Sequence, residues 1–169
     1  MIEIVLSVIS ALLLFNMAEW FVHKNILHKI GANKKSMWSF HWHEHHQNSR
    51  KNNMVDKDYL RSLFGWHAQS KELLGLILPG LLFSLLLPFC PYFVLTIWYC
   101  MIEYYYKHKK CHRDMEWGFK NLRWHYDHHM GKNQNANWGV VRPWADMLFG
   151  TRIKYEYDKE TMECLHRKV

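Results

Sequence analysis

The chain has few of the residues that divide a protein into domains or cross-link a small secreted fold. It contains four prolines and eight glycines in 169 residues, and no Pro/Gly/Ser-rich or low-complexity stretch interrupts it. The four cysteines, Cys90, Cys100, Cys111 and Cys164, lack both Cys-x-x-Cys pairing and the regular spacing of a disulfide framework. Strand signals are weak throughout. We therefore predict a single all-α unit, 1–169, with reduced cysteines.

Positive charge is absent from two long apolar blocks, although the formal net charge is +7. Every Lys and Arg lies in Lys24 to Lys71 or in Lys107 to Lys168. This arrangement is expected if both basic segments face the cytoplasm and the apolar blocks enter a membrane. A basic protein can also bind nucleic acid, but no nucleic-acid motif and no cationic stripe interleaved with aromatics is visible. The membrane interpretation is favoured, with no nucleic-acid partner.

The first apolar block, 2–22, lacks the basic start and the small-residue cleavage site of a signal peptide. It is better interpreted as a retained helix. About 20 residues suffice to cross roughly 30 Å of hydrocarbon. Asn16 and Glu19 interrupt the block near its end.

The second apolar block, 72–106, is split at Pro88 to Pro91 into two legs of about 15 residues, which predicts a helical hairpin. Each leg is shorter than a full crossing, so the hairpin either dips into one leaflet or crosses with help from its aromatic ends. In both cases segments 23–71 and 107–169 share one membrane face. One long kinked helix would instead place them on opposite faces.

The chain contains 13 histidines, and 11 of them fall into four clusters within segments 23–71 and 107–169. These clusters are His23-x4-His28, then His41, His43, His45 and His46, then His108-x3-His112, and last His125-x2-His128-His129. Residues at i, i+3 and i+4 share a helix face, which suits the last two clusters. His23 and His28, five apart, need a bend or serve two metals.

Clustered neutral imidazoles are good ligands for iron, zinc and copper. Ten of them suit two octahedral metals with five ligands each, leaving a free position on each metal. The di-iron carboxylate bundles use Glu-x-x-His instead, a motif found in none of the four clusters. Lone histidines are more often structural, and we expect this of His67 and His166. The predicted metal ligands are His23, His28, His41, His45, His46, His108, His112, His125, His128 and His129.

Two further features allow two interpretations each. Glu19 either accepts a hydrogen bond from a metal-bound histidine or is an interfacial charge. Four tryptophans near the last cluster, Trp117, Trp124, Trp138 and Trp144, either line a substrate tunnel or anchor a cap at the membrane interface.

In the order and spacing of these clusters, the chain resembles the fatty acid hydroxylase and sterol desaturase superfamily of membrane non-haem iron enzymes. The matching elements are His23-x4-His28, His41-x3-His45-His46, His108-x3-His112, His125-x2-His128-His129, Asn137-Trp138-Gly139 and the segment from Arg142 to Thr151. The resemblance extends from Glu19 to Thr151. Order, spacing and closing segment together make it specific, whereas a single cluster would be weak.

The resemblance implies a helical integral membrane protein with a histidine-rich dimetal cap on the cytoplasmic side. It also implies two iron ions, dioxygen, a membrane lipid substrate whose chain enters from the bilayer, and oxidation of an unactivated C–H bond without catalytic residues beyond the metal ligands. A redox-inert metal such as zinc cannot support this chemistry, although it can occupy such a site.

The chain departs from the family pattern in two ways. His43 stands between His41 and His45, so it is an alternative to His41 as a ligand. The chain is also short and carries no cytochrome domain, so electrons must come from a separate ferredoxin-like or cytochrome-like protein. The basic stretches Arg50 to Lys57 and Lys107 to Arg113 either dock this donor or are an ordinary positive-inside surface.

The leading functional hypothesis is a lipid hydroxylase, with desaturase and carotenoid-type or sterol-type hydroxylase as variants of the same chemistry. A metal transporter or store would need polar groups along the spanning segments, where few occur. A structural zinc protein would show closed coordination.

Overall fold

The computed structural model describes residues 1–157. Within them the regular structure is helical and contains no strand, as the sequence predicts. Cys164 and His166 lie outside the described residues. The α-helices are α1 Ile2–Phe21, α2 Gln47–Lys51, α3 Ala68–Ser84, α4 Pro91–Arg113, α5 Met115–Asn121, α6 Arg123–Met130 and α7 Trp144–Leu148. Two π-helices, π1 Val22–Ile30 and π2 His41–His46, and a 3₁₀ turn, Lys57–Leu60, complete the set.

Helix α1 continues directly into π1, so that Ile2–Ile30 forms one continuous helix of 29 residues. Among the described residues it is the single helix long and apolar enough to cross a membrane. Its apolar side chains are largely exposed, including Ile2, Leu6 and Leu13. A soluble protein rarely leaves so much contiguous apolar surface uncovered.

Helices α3 and α4 form the predicted hairpin and not one kinked helix. Pro91 begins α4, where its fixed φ and missing N–H are tolerated. The two helices run antiparallel, since Trp98 donates a hydrogen bond to Ser84 near the turn while His108 contacts Glu72 at the other end. Segments 23–71 and 107–157 therefore lie at the same end of the hairpin.

Helix α1 runs parallel to α4 and packs against it. Ala11 packs against Ile97 and Met101, and further along the rings of Phe15 and Tyr104 lie 6.5 Å apart. Because both helices travel in the same direction, π1 and the carboxyl end of α4 reach the same level. The short elements π2, α2, α5, α6 and α7 gather there and form the cap.

The cap has its own apolar core and is attached to α1 by a buried amide. Its core contains Met54, Cys111, Met115, Leu122 and Tyr126. The Asn16 side chain donates to the carbonyl of Arg142 and accepts from the N–H of Ala145. Cys90, Cys100 and Cys111 are free cysteines.

Candidate metal centre

Nine of the ten histidines predicted as ligands lie in two groups whose ring nitrogens are within 4.8 Å of one another. Cluster A consists of His23, His28, His41, His46 and His128, and cluster B of His45, His108, His112 and His129. The tenth, His125, stands beside cluster B, with its Nε2 3.1 Å from that of His112. All ten are buried, with at most 5 % of their surface exposed. Both clusters combine residues from before and after the hairpin.

The π-helical turns explain how histidines five residues apart share one cluster. His23 and His28 lie in π1, and His41 and His46 lie in π2. A π-helix closes its hydrogen bonds from i to i+5, so residues at this spacing stack on one side. On the ideal α-helix assumed from the sequence, His23 and His28 would require a bend or two separate metals. That assumption was wrong.

Adjacent histidines diverge to opposite clusters at two places. In π2, His46 joins cluster A while His45 joins cluster B, and in α6 His128 and His129 divide in the same way. The rings of His46 and His129 stack at 4.2 Å between centroids, so the two clusters lie side by side. The paired His-His ends of two sequence clusters thus build one arrangement that could hold two metal ions.

In cluster A, neutral carbonyl groups hold the second ring nitrogen. His23 Nδ1 lies 2.6 Å from the carbonyl oxygen of Trp138, and His128 Nδ1 lies 2.7 Å from that of Ala136. His46 Nδ1 contacts the Gln134 amide oxygen at 2.8 Å. A carbonyl only accepts, so Nδ1 carries the proton and the Nε2 lone pair remains free for a metal.

In cluster B, two carboxylates take this place. His45 Nδ1 lies 2.7 Å from Asp56 Oδ2, and His108 Nδ1 lies 2.7 Å from Glu72 Oε1. His112 Nδ1 contacts the carbonyl of Met54 at 2.9 Å. Carboxylate partners orient an imidazole and increase its basicity towards a metal.

The donor atoms fit metal ions and leave little alternative use for these nitrogens. Nε2 atoms approach one another at 3.0 Å between His23 and His41, and at 3.0 Å between His28 and His46. If Nδ1 carries the proton in both rings of a pair, the two facing Nε2 lone pairs repel unless both bind the same cation. Among residues 1–157, His45 Nε2 and both ring nitrogens of His129 are buried without a hydrogen-bond partner, a condition that costs stability unless a ligand satisfies them.

Electrostatics keeps these imidazoles in the form that binds metal. Burial lowers the pKa of His45 and His129 well below the usual histidine range, and neighbouring histidines lower it further. The same two causes lower the pKa of His41. At neutral pH these three rings are therefore uncharged and retain a donor lone pair.

The closing segment of the sequence positions two of the carbonyls in cluster A. Asn137 adopts φ 60°, a left-handed conformation that Asn tolerates better than most residues. Asp146 accepts hydrogen bonds from the N–H groups of Trp138 and Gly139 and from the Thr151 hydroxyl. This bracing holds the Trp138 carbonyl against His23.

The alternatives that the sequence left open are resolved by position. His41, and not His43, lies in cluster A; the Nε2 of His43 donates to the carbonyl of Ala32. His67 lies outside both clusters and contacts Ser62 and Ser70. Glu19 accepts from the N–H groups of Val140 and Val141. Neither interpretation of Glu19 foresaw this structural role.

The four tryptophans have different surroundings. Trp138 is 3 % exposed, and its ring contacts His28 and His23. Trp124 donates to the carbonyl of Val140, and Trp144 is 44 % exposed. None of the four lines the apolar cavity found in the described part of the chain, whereas Trp38 does.

That cavity, about 230 Å³ in volume, lies between α1, α3 and α4 and extends to the metal centre. His23 and His41 from cluster A and His45 and His108 from cluster B form its inner end. Towards the hairpin turn its walls are apolar: Leu14, Phe15, Leu76, Phe83, Ile97 and Met101. The arrangement can hold an apolar chain with one carbon facing both clusters.

Sequence reasoning missed Asp56 and Glu72, the two carboxylate partners in cluster B. Glu72 had a visible signal, because it and Glu103 are the only acidic residues in 72–106. A carboxylate at the start of an apolar helix needs a partner in the cap. Asp56 had no comparable signal, since it lies in a loop among other polar residues.

Comparison with known proteins identifies the family of the chain. No curated protein and no solved structure matches it. The fatty acid hydroxylase family matches over residues 8–151, which include every histidine of both clusters. Both this match and the two buried histidine clusters carry the pattern of a dimetal oxidation site, and the chain belongs to the fatty acid hydroxylase family.

Proposed function

We propose that the protein hydroxylates a C–H bond of a fatty-acyl lipid, using dioxygen and two iron ions held by clusters A and B. His23, His28, His41, His46 and His128 hold one ion, and His45, His108, His112, His125 and His129 hold the other. One oxygen atom enters the lipid and the other leaves as water, which requires two electrons and two protons from outside.

The observation that supports this proposal is the apolar cavity that ends at both clusters. An apolar cavity favours an apolar chain over a polar ligand. Because a lipid chain enters from the equally apolar bilayer, hydrophobic transfer alone does not choose among lipid chains. Selection then depends on shape and on the carbon presented to the clusters. A binding site for a polar metabolite would instead offer several convergent polar groups.

The protein's own residues orient the histidine rings and keep water away from the two clusters. Tyr59 lies at the inner end of the cavity, donates to Glu72 and stacks on His112 with ring centroids 5.4 Å apart. Phe40 and Trp38 line the same region. Tyr59 also contacts the His108 ring and helps to fix it, and the three aromatic side chains exclude water from the centre. Iron ions bound there would supply the dioxygen activation that oxidises the C–H bond.

We further propose that α1 and the hairpin α3–α4 lie in the membrane, with the cap at the cytoplasmic face. The outer faces of α3 and α4 expose large apolar residues, among them Leu78, Leu82, Leu95 and Ile102. All Lys and Arg residues lie in segments that lead into the cap. This matches the positive-inside distribution.

A separate electron-transfer protein, of ferredoxin or cytochrome type, is the proposed electron source. Part of the basic surface predicted for its docking is engaged within the chain. Arg50 donates to the carbonyls of His129 and Gly131, and Lys107 pairs with Glu103. Lys51, Lys57 and Arg113 are the exposed cations of that surface, whereas Lys109 and Lys110 each lie over an aromatic ring.

The test is expression in a lipid-containing host under ¹⁸O₂, with mass spectrometry of extracted fatty acids and metal analysis of the purified protein. We expect iron in the protein and one ¹⁸O atom per product lipid. A matched control replaces His129 with Ala. Unlabelled lipids together with a metal content of zinc alone would contradict the proposal.

The competing functions predict other results in the same assay. A desaturase gives a loss of two hydrogens with no ¹⁸O in the lipid. A zinc-braced structural protein gives no oxygen-dependent product. The cavity that reaches the clusters argues against this last possibility, because closed structural coordination leaves no position for an exchangeable ligand.

A further inference from the structure

The cavity has an open side between α1 and α3. Both helices pack against α4. Leu14, Ala18 and Val22 line the cavity from the first helix, at spacings of four residues that place them on one face. Gly75 and Pro79 line it from α3, again four apart, and all five are exposed. We call these five residues the entrance cleft.

Gly75 is the one residue of the entrance cleft without a side chain, and no neighbouring atom requires a glycine at this position. A Cβ added at Gly75 would meet no atom within 4 Å. A Cβ at Gly80, on the same helix, would come within 2.9 Å of the Trp98 ring. Glycine is a poor helix former, so an isolated glycine inside a helix usually has a packing or functional reason. At Gly75 this reason is the space that it leaves open.

The entrance cleft lies at the level of the metal centre. Gly75 follows Glu72 by one helical turn, and Glu72 contacts the ring of His108. On the opposite wall, Val22 directly precedes His23 of cluster A. A side chain that grew from position 75 would therefore occupy the space next to both clusters.

The depth of the cavity fits one acyl chain. From Glu72 to Phe83, the lining of α3 rises through 11 residue steps, or about 16 Å at 1.5 Å per residue. This is close to half of the roughly 30 Å hydrocarbon core, the thickness of one leaflet. A single lipid tail has the length and the apolarity that this space accepts.

We propose that an acyl chain from the bilayer reaches the metal centre through the entrance cleft, and that the absence of a side chain at Gly75 keeps this passage open. This inference rests on the proposed function for its choice of substrate. Ala18 lines the cavity from the first helix, and its small side chain also leaves this passage open. Larger side chains at position 75 obstruct the passage in the order Ala, Leu, Phe.

The test measures chain binding without turnover. Purified protein in detergent is incubated with palmitic acid that carries a terminal diazirine, irradiated and digested, and cross-linked peptides are quantified with and without excess palmitic acid. We expect competable labelling of Leu14 to Val22 and of Gly75 to Phe83 in the wild type. Gly75→Phe should reduce this labelling about tenfold, with Gly75→Ala and Gly75→Leu in graded order between.

Leu78→Phe is the matched control, because Leu78 is exposed on the same helix and does not line the cavity. It should label as the wild type does. Metal content and thermal unfolding report whether each variant folds. If Gly75→Phe does not fold, Ala18→Leu obstructs the opposite wall and serves the same purpose. Labelling of a folded Gly75→Phe equal to that of Leu78→Phe would overturn the proposal.

Failure of this inference and failure of the proposed function give different results. If wild-type protein oxidises lipid and Gly75→Phe does so at the same rate, the entrance cleft is refuted and the hydroxylase stands. If Gly75→Phe loses labelling but the wild type never oxidises a lipid, the entrance cleft stands and the hydroxylase is refuted.

Discussion

Clusters A and B contain the same kind of ligand but are held in different ways. In cluster A, backbone carbonyls and an amide orient the rings of His23, His128 and His46. In cluster B, the carboxylates of Asp56 and Glu72 orient His45 and His108. The difference shows that ten similar imidazoles do not make two equivalent sites, because the partners of the second nitrogen set the local charge.

This difference predicts unequal metal affinity. Two negative charges beside cluster B increase the basicity of its imidazoles and offset part of the charge of a bound cation. Cluster A relies on dipoles of a loop whose shape depends on Asn137 and Asp146. We expect cluster B to bind its ion more tightly and cluster A to be more sensitive to changes in that loop.

The largest effect should follow removal of one ligand from either cluster. His128→Ala deletes a ligand of cluster A and His129→Ala one of cluster B, although the two residues are adjacent. Each variant should lose one ion of the pair and all turnover. The measurement is elemental analysis of purified protein beside the ¹⁸O₂ assay.

His166→Ala is the matched control for these variants, since His166 lies outside the four sequence clusters. It should retain both ions and full activity. Equal metal content in all three variants would overturn the ligand assignment.

The second largest effect should follow a change of the histidine spacing in π1, which should affect cluster A but not cluster B. Exchanging two neighbours, as Leu27→His with His28→Leu, converts the five-residue spacing after His23 to four. The π1 geometry that places His28 in cluster A would then point the new histidine elsewhere. We expect loss of the cluster A ion with cluster B retained, measured by metal analysis. The exchange of Ile26 and Leu27 keeps His28 in place and should retain both ions.

A smaller effect is expected from the carboxylates. Asp56→Asn preserves the shape of the side chain but removes its charge beside His45. Loss of such a partner typically weakens metal binding by about 10- to 100-fold. Chelator competition should show this loss at cluster B and little change at cluster A. Gln134→Ala removes the uncharged partner of His46 and serves as the control. It should weaken metal binding less than Asp56→Asn does, and at cluster A.

The sequence was sufficient to predict the hairpin, because Pro88 and Pro91 interrupt an apolar run, and to predict which ten histidines converge. It was not sufficient to divide them between two clusters. His45 and His46 are adjacent, and their separation into cluster B and cluster A depends on a π-turn. A π-turn is set by tertiary contacts, and a 3.6-residue periodicity does not reveal it.

The hydrogen-bond partners were harder still to predict. Asp56 reaches His45 across 11 residues, whereas Glu72 reaches His108 across 36. Such contacts depend on the packing of α3 against α4 and on the path of the loop between α2 and α3. Glu19 illustrates the converse, since contact with a histidine was one of its two interpretations, yet it accepts hydrogen bonds from the N–H groups of Val140 and Val141.

The smallest predicted effect tests whether loop geometry alone controls cluster A. Asn137→Ala and Asn137→Gly remove the same side-chain hydrogen bonds to Ile153 and Arg152. Only glycine tolerates φ 60° without cost, so the free energy of unfolding of the alanine variant should be about 1 kcal/mol lower than that of the glycine variant. Because strain here shifts the carbonyls of Ala136 and Trp138, the alanine variant should also bind the cluster A ion more weakly. Thermal unfolding and chelator competition measure both quantities, and equal loss of affinity at cluster B would show that the two sites share one support.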